Sequence, residues 1–113
     1  MKLTLKKIDN ETKVTEQVFT IPHATALHYR QLLKFDETID YADMSVDDYD
    51  KVAGFVCDVF RNQFTVDELY EGIPSHELIP TFTRVFTFVR TGKTPEELAK
   101  EQEETKDQDE GNS

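Results

Sequence analysis

The side chains with the greatest capacity for chemistry in this chain are three histidines and one cysteine. A metal site would require several such ligands to converge on one point. His23 and His28 are five residues apart, a spacing that does not place two ligands on one face of a helix. We therefore predict no metal site, and we interpret His23, His28 and His76 as surface or helix-capping residues.

Cys57 is surrounded in the sequence by apolar residues, among them Phe55, Val56, Val59 and Phe60. A reactive thiol needs an electropositive environment, which this segment does not offer. We interpret the cysteine as a small buried hydrophobic residue. A single cysteine cannot form an internal disulfide, which favours a reducing compartment such as the cytoplasm.

Carboxylates are concentrated between Asp36 and Asp50, where a calcium-binding loop could be suspected. An EF-hand loop requires acidic ligands at alternate positions, a glycine at the sixth position and a glutamate at the twelfth. In a loop starting at Asp40, the third position is Ala42 and the sixth is Ser45, so the pattern fails. We interpret the segment as a solvated acidic linker.

The rest of the sequence adds no catalytic motif, and its four scattered glycines cannot form a phosphate-binding loop. We therefore predict no catalytic residue, no metal and no cofactor. The net charge of −10 argues against binding to a nucleic-acid backbone or to an anionic membrane surface. The N-terminal MKLTLKKIDN has no apolar run long enough for a signal peptide, and no segment approaches a membrane-spanning length.

The elements that position these residues follow from the hydrophobic pattern. Residues 2–21 alternate around a polar IDNET turn, which predicts a β-hairpin that must pack on helices to be stable. Helical periodicity predicts helices at about 23–36, 46–61, 66–71 and 79–91. The predicted fold is therefore mainly α, with an N-terminal β-hairpin packed on a small bundle of three to four helices in a domain spanning 1–92.

The C-terminal segment 93–113 has a different composition. It carries eight acidic and three basic residues, and it contains few apolar side chains. Such a segment cannot bury enough surface to offset the entropy lost on ordering. We predict a frayed helical turn followed by an acidic, mostly disordered tail.

The segment FRNQFTVDELYEGI, residues 60–73, is strongly specified for shape. Thr65 is a candidate N-cap with Glu68 three residues later, the capping-box arrangement, and Phe64 and Leu69 form the matching hydrophobic staple. A glycine then ends a helix of less than two turns. We interpret the segment as a rigid elbow between two longer helices.

Four aromatic residues have two interpretations. Phe55 and Phe88 lie at the edges of their helices' apolar stripes, and Phe64 and Tyr70 belong to the elbow. They can be core residues, because a small protein uses its large side chains to build a core. They can also border a surface patch used for self-association or for another partner. We take Phe55, Phe64, Tyr70 and Phe88 as candidate partner-binding residues and leave both interpretations open.

Residues 55–86, FVCDVFRNQFTVDELYEGIPSHELIPTFTRVF, resemble the signature segment of tail assembly chaperones from siphophages of Gram-positive hosts. The matching features are the Val59-Phe60 helix end, the turn 62–65, the short acidic-aromatic helix 67–72 and the helix start 78–81. The layout of the hairpin and first helix is also similar. Arg61 stands where we expect a small residue, often glycine.

The resemblance implies a non-enzymatic role in building a phage tail. Proteins of this family bind the tape measure protein, keep its long helical hydrophobic chain soluble, and recruit tail tube subunits along it. They act in the host cytoplasm and are absent from the mature virion. In many such phages a translational frameshift appends a second domain, so the acidic C-terminus would be either the end of the short form or a linker into the extension.

Two other functions stay open at this point. The first is a structural head–tail connector or completion protein, which would remain in purified virions. The second is an acidic inhibitor that mimics nucleic acid. Mimicry needs regularly spaced charge on a rigid face, and a disordered tail does not supply it.

Overall fold

The computed structural model describes residues 1–9 and 11–111, and within the last helix it describes side chains as far as residue 103. The elements are β1 (Lys2–Ile8), β2 (Val14–Thr20), α1 (Ala26–Thr38), α2 (Val46–Val59), α3 (Val66–Gly72), α4 (Leu78–Thr91) and α5 (Pro95–Gly111). The predicted fold class is confirmed: the chain is mainly α, and an N-terminal antiparallel hairpin packs on the helices. None of the helices in the described part of the chain is long and apolar enough to span a membrane.

The hairpin has one buried face and one exposed face. The strands pair antiparallel with Leu3 opposite Phe19 and Leu5 opposite Gln17. Side chains alternate between the two faces of a sheet, so odd-numbered residues of these strands share the inner face. Leu3, Leu5 and Phe19 are buried there against the helices, while the even-numbered residues form an outer face that is exposed along most of its length.

Helix α1 begins at Ala26, later than the predicted start near residue 23. Its N-cap is Thr25, whose Oγ1 accepts the backbone N–H of His28 at 3.4 Å. In return, Nδ1 of His28 accepts the backbone N–H of Thr25 at 3.1 Å. This is a capping box in which histidine takes the place usually held by Glu or Gln. Pro22 therefore precedes the cap and is not part of the first helical turn.

Helix α2 ends in a Schellman motif. The backbone N–H of Asn62 donates to the carbonyl of Cys57 at 2.8 Å, and that of Arg61 donates to the carbonyl of Asp58 at 3.0 Å. Arg61 and Asn62 both have left-handed backbone conformations, with φ of 58° and 57°. Glycine is favoured in this conformation, since it has no Cβ to clash. The local geometry therefore explains why a small residue is expected at position 61.

Helix α3 has the predicted capping box. Oγ1 of Thr65 accepts the backbone N–H of Glu68, and Oε1 of Glu68 accepts the backbone N–H of Thr65, both at 3.1 Å. Gly72 is the last residue of the helix and is buried against β1. A Cβ at this position would lie only 2.7 Å from Cβ of Leu5. The elbow therefore fixes the hairpin as well as the two flanking helices.

Helix α4 starts through a 3₁₀ turn at Ser75–Glu77. Pro80 lies in the first turn of α4, where its missing N–H removes no helical hydrogen bond. The helix ends at Gly92, which has a φ of 78° and donates its N–H to the carbonyl of Phe88 at 2.8 Å. Both boundaries agree with the predicted helix at about 79–91.

Helices α2 and α4 run parallel. Tyr49 packs on Phe82 near the start of both helices, with ring centroids 6.3 Å apart. Phe55 packs on Phe86 further along both helices, at 6.0 Å. The long elbow segment between α2 and α4 makes this parallel arrangement possible, because it returns the chain to the starting end of the bundle.

Helix α1 packs on α4, and the C-terminal ends of the two helices meet. Asp36, near the end of α1, pairs with Arg90 near the end of α4. Further along the chain, Tyr41 contacts Phe86, one helical turn earlier in α4, with ring centroids 5.5 Å apart. Together, these two contacts hold the end of α1 and the segment that follows it against α4.

The helix after α4 is longer than the expected single turn, because α5 continues to Gly111. Oγ1 of Thr94 accepts the backbone N–H of Glu97 at 3.3 Å, which caps the helix. Nε of Arg84 on α4 lies 3.2 Å from Oε1 of Glu96, so the first turn is also held electrostatically.

The strong cap explains why helix formation begins here even though the segment has little apolar surface to bury. Disorder of the acidic tail in solution stays a prediction, and residues 112 and 113 lie outside the described residues.

Candidate functional site

The structure places two of the predicted partner-binding aromatics in the centre of the bundle. Phe55 is 1% exposed, and its ring lies 5.4 Å from Phe35 and 6.0 Å from Phe86. Phe88 is 3% exposed. The folded monomer therefore offers a partner almost no area of either ring, and the core interpretation describes their position.

The two elbow aromatics are also engaged within the monomer. Phe64 is 2% exposed and packs between Phe19 and Phe60, with ring centroids 4.9 Å and 5.5 Å away. Tyr70 is half-buried, and its hydroxyl donates to Oδ1 of Asp50 at 2.8 Å. Burial, followed by this hydrogen bond, raises the pKa of Tyr70. These side chains hold the elbow to the hairpin and to α2. Their role in partner binding stays a prediction, and the exposed apolar residues are further candidates.

Exposed apolar side chains form three surfaces. The hairpin outer face carries Ile8, Val14 and Val18; the α1 face carries Tyr29 and Leu33; and the bundle end carries Val46 and Ile79. Val46 lies one turn before Tyr49 in α2, and Ile79 lies one turn before Phe82 in α4. Since those two rings are in contact, Val46 and Ile79 lie at the same end of the parallel helix pair.

The α1 face has the properties of a protein-binding ridge. Tyr29 and Leu33 are each 43% exposed and stand one helical turn apart, so their side chains are neighbours. Asp36 continues the same side of the helix three residues further on. Tyrosine is well suited to such a position because its ring supplies apolar area and its hydroxyl can hydrogen-bond at the edge of an interface.

A charged clamp fixes the C-terminal end of this face. Arg90 donates two hydrogen bonds to Asp36, from Nη1 to Oδ2 at 2.9 Å and from Nη2 to Oδ1 at 2.7 Å. The hydroxyl of Tyr41 donates to the same Oδ1 at 2.8 Å. The hydrogen bonds from Arg90 lower the pKa of Asp36, and burial raises the pKa of Tyr41. A bidentate pair of this kind holds α1 and α4 in one relative position.

The side chains with the greatest capacity for chemistry are the three histidines and Cys57. Nδ1 of His28 is used in the helix cap, and its pKa is lowered first by burial and then by the charge of Arg61. His23 and His76 are exposed. Cys57 is 4% exposed, and burial raises the pKa of its thiol to about 11. Among the side chains that the structure describes, residues 1–9 and 11–103, no group of three or more His, Cys, Asp or Glu is placed to hold a metal ion.

Sequence reasoning missed the three exposed surfaces, although signals for them were present. In β2, Val14 and Val18 share one face while the buried Phe19 points to the other, so apolar residues occur on both sides of the strand. In α1, Tyr29 and Leu33 lie outside the stripe formed by His28, Leu32 and Phe35. Apolar residues outside the main stripe of a short helix are a useful signal for a binding face.

A small helical domain that keeps several apolar surfaces exposed is typical of proteins that act by binding other polypeptides. A family model described as phage tail chaperone protein matches residues 1–112. The chain therefore belongs to the phage tail chaperone family. The match extends from the hairpin through the acidic C-terminal segment, well beyond residues 55–86. No curated protein and no solved structure matches the chain.

Proposed function

We propose that this chain is a non-enzymatic tail assembly chaperone of a siphophage. It binds the tape measure protein in the host cytoplasm, keeps that protein soluble, and recruits tail tube subunits to it. It is released before the virion is complete. Membership of the phage tail chaperone family supports this proposal over a head–tail connector or a nucleic-acid mimic.

The observation that carries the proposal is the α1 face. A long hydrophobic helical client needs an apolar ridge on its chaperone, because ridges and grooves of side chains set how two helices pack. Tyr29 and Leu33 supply such a ridge, and both are accessible in the folded chain. Interfaces between proteins are enriched in tyrosine and arginine. The α1 face has both, since Tyr29 lies on the ridge and Arg90 lies at its end.

The clamp preorganises the α1 face for binding. Because Arg90 and Tyr41 both donate to Asp36, the end of α1 is fixed before any client arrives. A preorganised surface loses less conformational entropy on binding than a flexible one does. The net charge of −10 then keeps a complex with an aggregation-prone client dispersed.

The test is co-expression with the tape measure protein of the same phage. The expected result is soluble tape measure protein with the wild-type chain and mostly insoluble tape measure protein with Tyr29→Gln/Leu33→Gln. Leu27→Gln is the matched control, since Leu27 is 67% exposed on the same helix but faces a direction about 120° away from Leu33. The control should protect the client as well as the wild type does.

The outcomes distinguish the alternatives. Equal insolubility of the client with and without this chain contradicts the chaperone function. Equal protection by the double variant and the wild type contradicts the α1 face as its site. Mass spectrometry of purified virions gives a separate test: a head–tail connector remains in the particle, whereas the proposed chaperone does not.

A further inference from the structure

The hairpin outer face is a sheet surface with exposed apolar side chains. Lys6 and Glu16 in its middle border a cleft whose other wall is formed by Pro80, Thr81 and Arg84 of α4, and the apolar residues Ile8, Val14 and Val18 lie outside this cleft. Ile8, Val14 and Val18 are 69%, 57% and 53% exposed. Ile8 lies directly opposite Val14 on the neighbouring strand, and Val18 lies opposite Thr4. Cross-strand rows of β-branched side chains normally gain stability by packing against a second layer.

One charged row divides this surface. Lys6 lies opposite Glu16, between the Ile8–Val14 row and the Thr4–Val18 row. Neither Lys6 nor Glu16 takes part in the ion pairs found among the described residues. Glu16 is exposed and Lys6 is half-buried beside the α4 cleft, so both charged groups can still contact an incoming partner.

We infer that the hairpin outer face binds the same face of a second copy of this chain. A two-fold axis parallel to the strands, midway between β1 and β2, places each β1 over the other copy's β2. Lys6 then faces the partner's Glu16, and Ile8 faces the partner's Val14. The strands of the two layers stay nearly aligned, as in packed sheets, and the contact is isologous.

The charged row selects this arrangement over the other face-to-face one. An axis running across the strands would place Lys6 over the partner's Lys6 and Glu16 over the partner's Glu16. Like charges in contact disfavour that geometry. The axis along the strands instead brings opposite charges together and keeps apolar rows against apolar rows.

The charge distribution of the whole chain also favours contact through the hairpin. Residues 1–21 contain four lysines and three carboxylates, a net of +1, whereas the chain as a whole carries −10. Two copies of an acidic protein repel each other least where the local charge is close to zero or positive. The hairpin is therefore the segment through which two copies can approach at the lowest electrostatic cost.

The size of the face predicts weak association. Seven-residue strands are about 24 Å long, and two of them are about 10 Å wide, so each copy would bury on the order of 300 Å². Stable interfaces bury about 800 Å² per partner. We therefore expect reversible dimers that form at high protein concentration.

The first experiment is sedimentation velocity on the full chain from about 10 µM to about 1 mM, the range in which so small an interface should dissociate. The wild type should shift from monomer toward dimer. Val14→Thr/Val18→Thr, which keeps β-branched side chains in the strand, should shift the midpoint at least several-fold upward. Leu27→Gln, an exposed apolar residue outside the hairpin, should leave the midpoint unchanged.

The second experiment uses charge reversal and mixing. Lys6→Glu alone and Glu16→Lys alone each put like charges in contact twice across the two-fold axis, so each should weaken self-association about tenfold. An equimolar mixture of the two single variants should regain dimers, because each glutamate then faces a lysine of the other chain. The double variant Lys6→Glu/Glu16→Lys should dimerise like the wild type.

Each outcome decides the inference. Recovery on mixing supports it, since this result requires Lys6 and Glu16 to meet between chains and does not depend on how either variant affects the fold. A wild-type chain that stays monomeric over the whole range overturns it. Self-association that is unchanged in all hairpin variants also overturns it and would point to another face. The result is independent of whether the tape measure protein is the client.

Discussion

The contact between α3 and β1 depends on the absence of a side chain at Gly72. A Cβ there would lie 2.7 Å from Cβ, 3.1 Å from Cδ2 and 3.2 Å from Cγ of Leu5. Carbon atoms in favourable contact are about 3.5–4.0 Å apart, so Gly72→Ala would force the helix and strand apart by about 1 Å. Overpacking of this kind typically costs about 1–3 kcal/mol.

A smaller effect acts in the opposite direction. Alanine restricts the unfolded chain more than glycine does, which stabilises the folded state by about 0.4–1 kcal/mol where the backbone is compatible. Gly72 is the last residue of α3, so little further gain in helix propensity is expected. We therefore expect Gly72→Ala to lower the free energy of unfolding by about 1–2 kcal/mol.

Gly54 provides the matched control within the same chain. It lies inside α2, and apart from its chain neighbours and the helix's own backbone no described atom lies within 4 Å of an added Cβ. Gly54→Ala should therefore raise the free energy of unfolding by about 0.5–1 kcal/mol. One chemical change, made at two helical glycines, should shift stability in opposite directions.

The assay is thermal and urea unfolding followed by circular dichroism. At about 4 °C or more per kcal/mol, the two variants should melt on opposite sides of the wild type. In a Leu5→Ala background the cost of Gly72→Ala should fall but not vanish, because Leu5→Ala removes Cγ and Cδ2 and keeps Cβ. A Gly72→Ala protein as stable as Gly54→Ala would refute the reasoning.

Three other changes test separate features. Arg61→Gly should stabilise the protein by about 0.5–1 kcal/mol in urea unfolding, since it relieves a left-handed arginine at the end of α2; a loss of stability would contradict the strain argument. Arg90 lowers the pKa of Asp36, so the pair stabilises the fold at neutral pH and this contribution disappears as the pH falls through the native pKa. Asp36→Asn should therefore cost up to about 1 kcal/mol at pH 7 and much less near pH 3, and equal losses at both pH values would exclude this linkage. Cys57, with its pKa raised to about 11, should be alkylated by iodoacetamide at least ~100-fold more slowly in the native protein than in urea; rapid native labelling would show that the thiol is accessible.

Helix ends were the most predictable part of the fold. The cap at Thr65 was identified from the sequence, and α3 begins immediately after it. A cap depends on hydrogen bonds between residues that lie within three positions of each other, so its signal is complete in the local sequence. The start of α1 was predicted too early, because His28 is an unusual partner for a capping threonine.

The candidate site was less predictable. The four aromatic residues chosen as partner-binding candidates were identified by type and by position at the edge of a stripe. Three of them, Phe55, Phe64 and Phe88, are at most 3% exposed in the fold. Helical periodicity gives the direction of a side chain around its own helix, but it does not indicate which neighbour covers that direction.

The sequence by itself determined the class of this protein. Its lack of grouped chemical residues, its acidity, its helix-capping residues and its family signature all lie in the amino-acid sequence. Only the tertiary structure decided which apolar residues stay accessible: Tyr29 and Leu33 on α1, and Ile8, Val14 and Val18 on the hairpin. The physical reason is that capping and propensity act between near neighbours in the chain, whereas exposure depends on the packing of segments that are distant in sequence.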